Sequence, residues 1–83
     1  MARYMTVHTI ACVTRQNLKR LADKLDQDDR VGLIRMVADT IEGAMVCEFE
    51  AASKDVLMAF LSMNHMHTEK IMAVELEFPK ENS

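Results

Sequence analysis

Tryptophan is missing from this chain of 83 residues, proline occurs once, and glycine and cysteine occur twice each. So little proline and glycine excludes collagen-like and Pro/Gly-rich disordered compositions. The aromatics are three phenylalanines and one tyrosine, none in a basic stripe, which argues against a base-stacking sheet for RNA. No basic run exists either. Ten Lys and Arg against thirteen Asp and Glu leave a net charge of −3, a balance that disfavours a nucleic-acid partner. No apolar run approaches the roughly 18 residues of a membrane span, and the N-terminus lacks the apolar core of a signal peptide. Cytoplasm is therefore the expected location, with Cys12 and Cys47 as free thiols.

What is present is an ordinary globular composition, 49% hydrophobic, with eight methionines that suit an adaptable core. A chain this small buries only about 60–65% of the surface its unfolded form exposes, so it builds one domain and gains from association. Residues 1–78 are read as that domain and 79–83 as a loose tail.

The organising stretch is Gly43–Ser53, a strand that runs straight into a helix. Met45, Cys47 and Phe49 fall on one face and Val46, Glu48 and Glu50 on the other, the alternation of a half-buried strand. Ser53 is placed to cap a helix over about 54–63, with Asp55 in its first turn and Asn64 after its end. Ahead of this, Arg3 to Ile10 alternates as a first strand, with Met5 and Val7 on one face and Tyr4, Thr6 and His8 on the other. Thr14 caps a helix whose apolar stripe is Leu18, Leu21, Ala22 and Leu25. The Asp26–Asp29 run lacks the spacing and glycine of a calcium loop.

Val31 to Val37 reads as a second strand, apolar on both faces, and the residues from Asp39 to Gly43 turn it back. After the loop His65-Met66-His67-Thr68, the segment from Ile71 to Phe78 alternates as a last strand, with Met72, Val74, Leu76 and Phe78 on one side. Pro79 ends it. The order β-α-β-β-α-β in two similar halves, 3–38 and 44–78, predicts an α+β, ferredoxin-like fold. Four antiparallel strands would carry two helices on one face, with the first and third strands central.

If the more apolar faces pack on the helices, the open face carries Tyr4, Thr6, His8, Val46, Glu48, Glu50, Ala73, Glu75 and Glu77. A mixed face of this kind is one a second copy can cover, giving a symmetric dimer, a dimeric α/β barrel, around a cavity. His8, His65, His67 and Glu48 are the candidate metal ligands, suited to nickel, copper or zinc, with the thioethers of Met63 and Met66 favouring copper(I). The plainer readings are solvated histidines and carboxylates that keep the outer face wet. Serine–histidine–aspartate sets, phosphate loops and Cys-x-x-Cys are all missing, so the enzyme alternative is a small dimeric-barrel oxygenase or isomerase. It would act on a hydrophobic small molecule with His8 as acid/base.

The segments from Tyr4 to His8 and from Val46 to Ser53 resemble the small nickel-binding, ferredoxin-like proteins of bacteria. The resemblance implies a homodimer of dimeric α/β-barrel type, nickel as the bound metal, and His8 as a ligand. Leu61 stands near the position where that family often has a helix histidine, and His65-Met66-His67 replaces its Gly-x-Pro-like turn. Copper-chaperone domains share the element order but need two cysteines after the first strand; here Val13, Thr14 and Arg15 follow Cys12.

Overall fold

The structure, a computed structural model, describes residues 1–11 and 13–78. Cys12, the stop at Pro79 and the tail over 79–83 lie outside the described residues. Six elements follow in the order β1 (Ala2–Thr9), α1 (Arg15–Leu25), β2 (Val31–Asp39), β3 (Ala44–Ala51), α2 (Lys54–Met63) and β4 (Thr68–Ala73). The strands form one antiparallel sheet in the order β2-β3-β1-β4, which puts β1 and β3 in the centre. No helix among the described residues is long and apolar enough to cross a membrane.

Both helices start where the sequence places a cap. The Thr14 hydroxyl accepts from Asn17 N at 3.1 Å and Ser53 Oγ from Val56 N at 3.2 Å, each satisfying a donor that the helix leaves free. The helices cover the sheet face of Met45, Cys47 and Phe49, all fully buried, and Leu25, Leu57, Phe60 and Leu61 close the core from above. Phe49 and Phe60 meet edge to face, with ring centroids 5.8 Å apart. Gly43 ties the β2–β3 turn to the end of β1: its O accepts from Ile10 N at 2.8 Å, and at φ 76° any Cβ there would stand 2.6 Å from Ile10 O.

Register corrects the expected faces of β1. Tyr4, Thr6 and His8 stand opposite Phe49, Cys47 and Met45, and directly paired residues share a face. They are buried beneath the helices, while Met5 and Val7 lie on the open face beside Glu48 and Val46. The alternation was legible but its sense was not, because this strand puts two polar side chains inside and bonds them there. The same reversal holds in β4, where Ile71 and Ala73 pair with Thr6 and Tyr4, and Met72 faces outward beside Met5.

The double-sided character of β2 also has a cause. Val31 and Leu33 pair with Ala51 and Phe49 on the helix side; a bulge at Ile34 then inserts one residue, and Met36 resumes the inner face opposite Cys47. Inward apolar positions therefore change parity midway. The last strand also differs from the reading of 71–78, starting at Thr68 and ending at Ala73. Val74 N–H to Arg3 O at 2.9 Å is the final bond to β1, and residues 74–78 continue without a ladder partner.

Candidate functional site

The three histidines gather at one corner, built by the way α2 ends. His65 takes φ 56°, a left-handed conformation uncommon outside glycine, immediately after the cap residue Asn64. Its N–H donates to Ser62 O and the Met66 N–H to Leu61 O, both at 3.0 Å. Asn64 Nδ2 adds a bond to Phe60 O at 2.8 Å. The last carbonyls of the helix are thus satisfied by the loop itself, at the cost of a strained histidine.

His8 holds this loop from beneath. It is only 2% exposed, its Nδ1–H donates to His67 O at 3.0 Å, and its Nε2 accepts from the Thr6 hydroxyl at 2.7 Å. A carbonyl can only accept, which puts a proton on Nδ1, and burial favours the neutral ring, whose Nε2 accepts from the Thr6 hydroxyl. Burial lowers its pKa below the usual 6.5, although the bond to the His67 carbonyl pulls the other way. Thr6 also lies against the Cys47 thiol. Burial raises that thiol's pKa to about 11, with the Thr6 hydrogen bond as a smaller opposing effect.

His67 is oriented by a carboxylate. Its Nε2–H donates to Glu69 Oε1 at 2.8 Å, and the Thr9 hydroxyl donates to the same oxygen at 3.0 Å. These donors lower the Glu69 pKa, the Thr9 bond most. Holding one ring nitrogen this way leaves Nδ1 of His67 as the available ligand atom, the arrangement by which carboxylates orient metal-binding imidazoles. A cavity of about 300 Å³ is lined here by His8, His65 and His67 together with the thioether residues Met45 and Met66.

Glu48 stands elsewhere. It lies on the open face, only 7% exposed, under two guanidiniums: Arg3 Nη1 reaches Oε2 at 3.1 Å and Arg35 Nη2 reaches Oε1 at 3.2 Å. Arg3 is also paired with Glu77, and this partner above all raises its pKa. Of the four expected ligands, the fold brings His8, His65 and His67 to one corner and separates Glu48 by the thickness of the sheet. Among the described residues no set of three or more His, Cys, Asp or Glu side chains is arranged to hold a metal ion. What the corner offers is two imidazoles and the Met66 thioether, with both nitrogens of His8 already bonded. His8 also lies on the opposite side of the sheet from the open face, so it cannot serve as an acid/base in a cavity there.

Sequence reasoning missed the parts played by four residues: Glu69, Thr6, Arg3 and Arg35. The i, i+2 spacings Thr6-x-His8 and His67-x-Glu69 carry the first two, since residues two apart on extended chain share a side. The arginines were hidden in separate strands, joined only by register.

The architecture is that of a ferredoxin-like α+β protein. It is similar to the crystal structure of SCO4226 from Streptomyces coelicolor A3(2), with a TM-score of 0.79 and 23% sequence identity over 93% of this chain and 100% of that one. At this identity the likeness establishes the fold. No family model and no curated protein matches the chain.

Proposed function

We propose that the protein is a small homodimeric binding module that takes up a transition metal at the histidine corner, with His65, His67 and Met66 as ligands and no catalytic role. The observation that carries this is the corner itself: an imidazole oriented by Glu69, a second held in a left-handed conformation, and a thioether between them. His8 positions this loop through the His67 carbonyl and is not a ligand in that arrangement. Imidazole suits nickel, and the resemblance to nickel-binding ferredoxin-like proteins favours that metal; the thioether admits copper(I). The homodimer reading rests on the open face, where Met5, Val7, Val37, Val46 and Met72 surround the ion-paired Glu48.

Native mass spectrometry of tag-free protein, titrated with nickel, copper and zinc, tests both parts. The expected result is a dimer with stoichiometric metal that the His65→Ala/His67→Ala double variant loses. In the folded His8→Ala variant the metal is weakened but retained. Uptake without fixed stoichiometry, or full uptake by the double variant, overturns the metal reading.

A further inference from the structure

Among the described residues, β4 is an edge of the sheet with a strand on one side only. In its antiparallel ladder the Val74 N–H donates to Arg3 O at 2.9 Å, and the register carries that bonding phase through Met72 and Lys70. The alternate residues, Ile71 and Ala73, therefore turn their N–H and C=O groups away from β1, toward the free side. The bulge at Glu69 lies ahead of this stretch and leaves it regular. The segment over 74–78 does not cover it, since that segment lines a cavity on the open face with Met5, Arg35 and Glu48. The opposite edge, β2, is broken midway by its bulge at Ile34, a device that blunts pairing. Beside β4 the overhanging α2 leaves a groove of about 390 Å³, made apolar by Met58, Leu61, Met66 and Ile71. Lys54, Met58, Leu61 and Ser62 recur at i, i+4, i+7 and i+8, one stripe of the helix turned to the edge. Lys54 and Lys70 are exposed at this groove, and among the described residues neither pairs with a carboxylate. Glu69, which also lines it, is bonded to Thr9 and His67.

We infer that this edge takes an extended segment of a partner protein as an added strand, one that alternates apolar and acidic residues. Its main chain bonds the free groups of Ile71 and Ala73, which supplies affinity, and its alternate side chains supply specificity. Directly paired residues share a face. Ile71 and Ala73 lie on the helix side, so the partner residues opposite them enter the groove under α2 and are apolar. Lys70 pairs with Val7 on the open face, so the intervening partner residues stand beside a free ammonium and are acidic. Lys54 adds a second cation at the rim of the groove. A second copy of β4 fits less well: its open-face residues are Lys70 and Met72, which set lysine where an acid is wanted. The inference rests neither on the metal reading nor on the homodimer, although Met66 borders both the groove and the histidine corner.

The probe is a capped peptide, Glu-Val-Glu-Leu-Glu-Val-Glu, titrated into isotope-labelled protein and followed by amide NMR shifts and hydrogen exchange. Two control peptides carry lysine at every glutamate, or proline at the central leucine. The expected result is shifts concentrated over residues 70–73 and at Met58 and Leu61, with exchange at Ile71 and Ala73 slowed about 10-fold or more at saturation. Both controls should bind at least about 10-fold more weakly, the first through charge and the second through lost ladder bonds. Lys54→Glu/Lys70→Glu and Met58→Glu, exposed positions whose folding circular dichroism confirms, should each weaken the acidic peptide about 10-fold. No change at Ile71 or Ala73 with millimolar acidic peptide, or equal binding of the lysine peptide, overturns the inference. Sedimentation velocity of the free protein covers the other occupant. Self-association that itself protects the Ile71 and Ala73 amides gives the edge to a second copy and overturns the inference too.

Discussion

The two faces of the sheet each bury a polar side chain from a central strand, and they do it differently. Under the helices, His8 is neutral and bonded at both ring nitrogens by short contacts from its own strand and the β4 loop. On the open face, Glu48 is ringed by arginine side chains from the flanking strands, each of which also reaches solvent. A covered face tolerates a polar group only if that group is uncharged and fully satisfied in place. An uncovered face admits a charge, because long cationic side chains fold over it and water remains near.

That contrast is open to attack at several points. The largest effect belongs to the core that makes the covered face dry: Phe60→Ala removes the ring packed on Phe49 and should cost about 3–5 kcal/mol in urea unfolding. Next is His8→Ala, which strands the Thr6 hydroxyl and the His67 carbonyl and should cost about 2–3 kcal/mol. Amide exchange should rise first over residues 65–68. If His8→Ala unfolds no more easily than wild type, the ring is not what holds the loop.

Acid sharpens the same comparison. Because the folded pKa of His8 lies below its unfolded value of 6.5, the unfolded chain takes up a proton that the folded chain refuses. Stability is therefore complete above pH 6.5 and falls as pH drops from there toward the folded pKa. The decline should vanish in His8→Asn. Glu48→Gln should be milder, about 1–2 kcal/mol, since the arginines can turn to solvent, and its cost should shrink in high salt. His65→Gly should have the smallest effect and the opposite sign, about 0.5–1 kcal/mol more stable by relief of φ 56°, while weakening metal uptake.

The element order and the caps were legible because they depend on local signals: Thr14 and Ser53 before apolar stripes, and alternation in Gly43–Ser53. The sense of β1 was not legible, because a strand of Tyr, Thr and His alternating with Met and Val reads outward by polarity. It turns inward only once Cys47 and Met45 stand opposite. The bulge at Ile34 was invisible for a related reason: both parities of β2 are apolar, so no periodicity marks the inserted residue. The end of β4 depends on how much of β1 lies beside it, a property of two distant segments together. Gathering the three histidines at one corner followed from topology, whereas separating Glu48 from them required knowing which face each strand turns inward.

The Cys47 thiol carries a practical consequence. Fully enclosed and with its pKa held at about 11, it presents almost no thiolate to reagent at neutral pH while the sheet is intact. Its modification rate is therefore a clock for how often the two central strands and the helix layer part. Read site by site in a mass spectrometer, that clock would register any ligand or second subunit that steadies the protein, without a probe being introduced.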